Sequence, residues 1–425
     1  MKKSILTPSA RLREWADCEI GVIIHLDLEV FEPSYDVLGM WGYHPDLSVF
    51  DPDGLDPDQW LEAAVAAGAK YAVLVAKHCS GFCLWPTKQH PYNVSSTPWQ
   101  DGKGDVVRDF FRSCKKYGVK PGLYYSASHN AYYNVDNPGL VRGGTEAQQR
   151  AYNEMVLAQL TELWTEYGDV FEIWFDGGCL PVEQGGPDIA ALLKQLQPDA
   201  AVFQGPPGIR SGLRWVGNER AEAPEDCWAT VNFSREDFDG CTEADNRGGD
   251  PYGDTWRPAE SDMPNRHPKA FMAGWFWKAG EESYIYPAEE LFQRYLKSVG
   301  RNTNLLLGMN IDCHGRFPEA DAREFSRFGQ MVTEHFGAPK EVYSGDHSAW
   351  EYTLATQDGT AAGYLVVQED IAQGERILRY RLSTGYEACC IGHKKIIPLP
   401  EGTERVTFTI VEAKDTPMLR SVALY

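Results

Sequence analysis

The stretch DPDQWLEAAVAAGAKYAVLVAKH, residues 56–78, decides the fold. Its first part places apolar residues at helical spacing behind an acidic first turn, so it reads as an amphipathic helix. The part that follows, KYAVLVAKH, is apolar without alternation, as a strand covered on both faces must be. A helix feeding a doubly covered strand is half of a parallel βα repeat, and the strand runs out into Lys77 and His78.

The same unit recurs along the chain. GVIIH (21–25), VKPGLYYS (119–126), FEIWFDGG (171–178), AAVFQG (200–205), RWVGNE (214–219), FMAGWFW (271–277) and TNLLLGM (303–309) read as further strands. GDVVRDFFRSCKKYG, GTEAQQRAYNEMVLAQLTELWTEYG, IAALLKQLQP and PAEELFQRYLKSVG read as helices between them. About eight such strands predict an α/β fold, a (β/α)8 TIM-like barrel over residues 1–337. A doubly wound open sheet is the alternative, but no glycine-rich phosphate turn follows the first strand. Beyond Gly337 only short β-prone runs remain, WEYTLAT, GYLVVQE, RILRYRLS, RVTFTIVEA and RSVALY. They predict a small antiparallel β-sandwich over residues 338–425.

Composition narrows the partners. The 61 acidic residues outnumber the 40 basic ones, for a formal charge of -21. Such a surface repels nucleic acid and anionic membranes, and no stretch has the length of an apolar membrane span. The start MKKSILTPSARLREW has no signal-peptide core, so a cytoplasmic location is expected. The ten cysteines and ten histidines show no zinc-ligand spacing. No metal and no cofactor are therefore expected. Self-association is compatible with a barrel of this size, although no segment marks an interface.

In a barrel of this kind the chemistry sits at the C-terminal ends of the strands. Those ends deliver His25, Lys77, His78, Tyr124, Tyr125, Trp174, Asp176, Arg214, Asn218 and Glu219, with His129 a little beyond. Aromatic rings, histidines and two carboxylates suit a carbohydrate, whose apolar ring faces are rimmed by hydroxyls. Two carboxylates across a glycosidic bond are what hydrolysis needs, one at the anomeric carbon and one to protonate the leaving oxygen. Asp176, short and ending a rigid strand, suits the nucleophile, and the longer Glu219 suits the acid/base. The plainer readings are a turn aspartate at Asp176, a surface glutamate at Glu219 and a core histidine at His25.

These segments, with GFCLWPTKQHPYNV, PWQDGKGDVVRDFFRSCKKYGVKPGLYYS, WRPAESD and VGRNTNLLL, resemble the α-L-fucosidases of glycoside hydrolase family 29, and within them the subgroup acting on α-1,3/1,4-linked fucose. The resemblance covers nearly the whole chain. It implies a retaining exo-glycosidase acting on an oligosaccharide or glycoconjugate, with Asp176 as nucleophile, Glu219 as acid/base and Glu260 as second candidate for that role. It also implies sugar binding by His25, His78, Tyr125 and Trp174, and by Arg214.

Three departures from the family pattern lie on the substrate side. HLDLEVF stands where HFG or HWG is usual, which brings in Leu26, Asp27 and Glu29. KHCSGF replaces KHHDGF, so Cys79 stands at a sugar-binding histidine position, and SASHN around His129 replaces SPWDRN. Glu29 and Cys79 are expected to reshape the pocket for the sugar. A non-catalytic sugar-binding homologue, a metal-dependent barrel hydrolase and a galactose-specific variant are the competing readings.

Overall fold

Eight parallel strands close into a barrel in the order in which the chain makes them. They are β1 (Ile20–His25), β2 (Tyr71–Lys77), β3 (Lys120–Tyr125), β4 (Glu172–Trp174), β5 (Ala201–Phe203), β6 (Gly212–Trp215), β7 (Ala259–Met263) and β8 (Asn304–Asn310). β8 pairs with β1 from Leu305 opposite Ile20 to Asn310 opposite His25, which closes the ring. The computed structural model describes residues 5–232, 248–357 and 359–425.

Helices α1 (Ala10–Ala16), α2 (Pro57–Ala66), α3 (Val106–Tyr117), α4 (Glu146–Thr165), α5 (Ile189–Leu196), α6 (Ala288–Ser298) and α7 (Glu319–Phe336) accompany the strands. Their ends are set by local chemistry. Asp56 caps α2 by accepting from the Asp58 amide, and Thr145 and Gln148 close a reciprocal capping box on α4.

Strand alternation divides the barrel side chains into two layers. Tyr71, Val73, Val75, Tyr124, Trp174, Phe203 and Leu306 pack together in the lumen. Ala72, Leu74, Ala76, Leu123, Tyr125, Ile173 and Leu307 pack outward against the helices. Trp15 of α1 reaches the lumen and donates its indole Nε1–H to Glu172 at 2.9 Å.

The seventh strand differs from expectation. FMAGWFW is not a strand: Phe271–Gly274 is a 3-10 turn, with Met272 and Ala273 in the left-handed region at φ of 49° and 55°. The seventh place is taken by Ala259–Met263, whose Glu260, Ser261 and Asp262 gave it no apolar signature. The loop that carries FMAGWFW is held from beneath. Arg266 donates to both Asp321 carboxylate oxygens, at 3.0 and 2.8 Å, with both side chains fully buried. Asp321→Ala strands that guanidinium without its partner, and the expected cost is about 3–5 kcal/mol, read as a lowered midpoint in denaturant unfolding.

The strands after Gly337 form two four-stranded antiparallel sheets, as the β-prone runs predict. One holds Glu341–Val342, Leu419–Leu424, Tyr364–Glu369 and Lys395–Pro398, and the other Glu351–Ala355, Arg405–Ala413, Ile377–Leu382 and Glu387–Ala388. Tyr352, Leu365, Val367, Tyr380, Phe408 and Val422 fill the space between them. The sandwich meets the barrel near the entry ends of the strands, where His393 Nε2 lies 2.9 Å from Asp17 and the Ile396 amide donates to Gly300 O. Among the described residues, no helix is long and apolar enough to cross a membrane.

Candidate active site

At the C-terminal ends of the strands lies a cavity of 470 Å³. Its size is in the range of small-molecule sites. His25, His78, Trp174, Asp176 and Glu219 line it, as the strand-end rule predicts, together with Tyr124, Asp262, Trp275 and Phe276. The aromatic rings are layered. Tyr124 stacks with His78 at 5.6 Å and with Trp174 at 5.3 Å, and Trp174 lies nearly parallel to Phe203 at 4.1 Å.

Asp176 follows β4 on the same side as Trp174 and Glu172, so the strand's period of two aims it into the cavity. The glycine behind it is needed there. Gly177 has φ of 67°, and a Cβ would sit 3.1 Å from Asn137 Nδ2 and 3.2 Å from Ser128 Oγ. Tyr124 donates its hydroxyl to Asp176 Oδ2 at 2.8 Å, and Ser128 Oγ donates to the Asp176 carbonyl at 2.6 Å. Burial pushes the Asp176 carboxyl above its ordinary range and the Glu219 charge adds to this, while the Tyr124 hydrogen bond opposes it.

Glu219 sits exposed at the mouth of the cavity. Asp262, at the end of β7, is buried and accepts the Trp215 indole proton at 2.7 Å. Burial holds the Asp262 carboxyl well above the usual range, with the charges of Glu219 and Glu260 reinforcing it. His25 is driven down to about 3 by burial. His78 is likewise held well below the ordinary histidine value, first by burial. Both imidazoles are therefore neutral and face the site as hydrogen-bonding groups without charge.

Four residues expected at the sugar site lie elsewhere. Tyr125 points outward, giving its hydroxyl to Gln159 at 2.7 Å beneath the Lys77 ammonium, because its lumen-facing neighbour Tyr124 takes the inward position. Arg214 is fully buried and donates to Trp228 O at 2.9 Å, away from the cavity. Glu260 lies deeper in the lumen, accepting from Tyr71 at 2.6 Å and from the Trp174 indole at 3.0 Å. It supports Trp174 from below and has no path to a leaving group. Glu29 is also fully buried under the site, on a 3-10 turn beside Asp27, whose carboxylate accepts from Ser80 at 2.6 Å. Cys79 and His129, the other two departures, do line the cavity.

The residues missed by sequence reasoning are Asp262, Trp275 and Phe276. Period-two reading of AESDM would have placed Glu260 and Asp262 on one face, with Asp262 nearer the C-terminal end. The two aromatics come from the loop between β7 and α6, where no strand rule applies.

The sequence profile of the alpha-L-fucosidase family matches residues 27–335. The chain belongs to the alpha-L-fucosidase family. A putative alpha-L-fucosidase 1 of Oryza sativa is 32% identical over 92% of this chain and 80% of its own. The alpha-L-fucosidase 1 of Arabidopsis thaliana is 28% identical, covering 98% of this chain and 87% of its own. Among solved structures, a putative alpha-L-fucosidase from Bacteroides thetaiotaomicron superposes with a TM-score of 0.89 at 31% identity over 99% of both chains. As an alpha-L-fucosidase the protein is a glycoside hydrolase, and its barrel followed by antiparallel sheets agrees with that relative.

Proposed function

We propose that this fucosidase is a retaining exo-enzyme releasing terminal α-1,3/1,4-linked L-fucose from oligosaccharides, with residues 1–337 as its catalytic unit and 338–425 as a structural companion. The observation that carries the reading is Asp176, fixed by Tyr124 in an aromatic-walled cavity that Glu219 also lines. Asp176 attacks the anomeric carbon while Glu219 protonates the departing oxygen, giving a β-linked fucosyl ester. Glu219 then takes a proton from water, which displaces Asp176 and restores the α configuration. His25 and His78, neutral and walled by Trp275, Phe276 and Tyr124, bind sugar hydroxyls, and Trp174 carries the apolar face of the ring.

Tyr124 makes the nucleophile testable by pH. Its hydrogen bond favours the ionised form of Asp176, so Tyr124→Phe raises the carboxyl further and moves the acid limb of kcat/KM to higher pH. Losing a hydrogen bond to a charged group also predicts a fall of about 10- to 100-fold on the plateau. A pH–rate profile of the variant measures both.

Cys79 and His129 in the cavity favour one second reading, the same machinery acting on a galactoside. A panel of aryl α-L-fucoside, α- and β-galactosides, and trisaccharides with 1,2-, 1,3- or 1,4-linked fucose separates the two. Fucose release confined to the 1,3 and 1,4 linkages is the expected result, and turnover of galactosides alone would replace it.

A further inference from the structure

Cys79 has no part in the mechanism, yet its thiol lies beside the nucleophile. One ligand atom each from His78, Cys79 and Asp176 lies within 4.8 Å of the others, and all three residues line the cavity. β2 ends at Lys77. His78 and Cys79 therefore lie in the turn beyond it, freed from strand alternation, and both reach the same space. The donors are available. Among the described residues, the buried Nδ1 of His78 has no hydrogen-bond partner and Cys79 Sγ makes only a 3.9 Å contact with Ser126, while the Tyr124 hydroxyl engages Asp176 through Oδ2.

We propose that His78, Cys79 and Asp176 form a reversible site for a thiophilic divalent cation such as Zn²⁺, and that its occupation silences the enzyme. Zinc bonds of about 2.3 Å to sulfur and about 2.0–2.2 Å to nitrogen and oxygen place tetrahedral ligands roughly 3.3–3.7 Å apart. Side-chain movements of about 1 Å reach that spacing from the observed one. The fourth position opens to the cavity and takes water. Imidazole, thiol and carboxylate together select zinc or cadmium over magnesium or calcium. The histidine usual at position 79 in this family would make a harder site, so this selectivity belongs to the KHCSGF departure.

Binding forms three coordination bonds and breaks one S–H bond, whose proton leaves to solvent. With His78 neutral, one proton is released for each ion bound. Affinity therefore strengthens about tenfold for each pH unit while the thiol is protonated in the free protein. An Asp176 carboxylate held by zinc cannot attack a sugar, so inhibition competes with substrate and is reversed by a chelator. The silencing rests on the role proposed for Asp176, whereas the binding does not.

The test has two readouts on the full chain. Cobalt(II) titration reads ligation directly, through d–d bands and a thiolate charge-transfer band. Zinc inhibition of aryl fucoside hydrolysis is measured for wild type, Cys79→Ser and Cys79→Ala, each relative to its own metal-free rate. The expected result is a thiolate band in wild type, stoichiometric displacement of cobalt by zinc, and inhibition that magnesium does not reproduce. In both variants metal affinity should fall by at least the roughly 10- to 100-fold that loss of an outer-shell partner costs. Cobalt bound without a thiolate band, or equally well by the Cys79 variants, would overturn the site and leave the metal elsewhere, on the acidic surface or among His78, Asp27 and Glu29, whose ligand atoms also lie within 4.8 Å of one another. A Cys79-dependent complex that still turns over fucoside would overturn the silencing.

Discussion

Replacing Asp176 by alanine is expected to lower kcat on an aryl α-L-fucoside by about 10⁴-fold or more while leaving the folded protein intact. The loss is that large because, in the mechanism proposed above, the residue forms the bond to the anomeric carbon and no neighbour stands in for it. Asp262 is held by the Trp215 indole, and Tyr124 presents a hydroxyl that burial keeps protonated. The fold should survive because Asp176 is bonded to the site's own residues and to no distant element: the Ser128 hydroxyl bond goes to the main-chain carbonyl, which alanine retains. Azide, small enough to enter the space left by the carboxylate, should restore part of the rate. It would attack the α-fucoside directly and give the β-fucosyl azide. Full activity in the variant, or an α-azide product, would remove Asp176 from the nucleophile's place.

How far the sequence could be read depended on which physical signal each segment carries. KYAVLVAKH and TNLLLGM declare themselves because a strand between lumen and helices is apolar on both faces. AESDM did not, because its lumen-facing positions, Glu260 and Asp262, spend their polarity on Tyr71 and Trp174 across the barrel and on Trp215 of the neighbouring strand. Those bonds join residues separated by 47 to 189 positions, which no local pattern records. FMAGWFW misled for the opposite reason. It is apolar because it walls the cavity at the strand ends, with Trp275 and Phe276 against His25 at 5.1 and 5.2 Å.

The site shows the same division. The place of Asp176 in the cavity was legible because a side chain that closes an apolar barrel strand lies at the barrel's C-terminal face. Between Tyr124 and Tyr125 the type of residue decides nothing, and the pleat decides everything. Glu29 and Arg214 were plausible from their places near strand ends. Neither reaches the cavity, because a 3-10 turn tucks Glu29 beneath the floor and strand parity turns Arg214 outward.

Glu219 is the assignment with most at stake, since Glu172, Glu260 and Asp262 also carry carboxylates, all buried in the barrel lumen. An acid/base must touch the leaving oxygen and then the incoming water, so it has to face the open end of the cavity. Glu260 and Glu172 are enclosed in the lumen, and Asp262 is fixed on Trp215. Glu219 alone of the four is exposed at the mouth. Glu219→Ala is therefore expected to cost about 10²–10⁴-fold in kcat/KM on a fucosylated trisaccharide, whose leaving group needs a proton. A 2,4-dinitrophenyl fucoside, whose leaving group needs none, should lose far less in the first step and should show a burst as the fucosyl ester accumulates. Azide should then attack that β-linked ester and give the α-fucosyl azide, the opposite anomer from the Asp176 variant. The same pattern from Asp262→Asn, with Glu219→Ala near wild type, would move the acid/base role to β7. The opposed anomers follow from the number of displacements each variant can still perform.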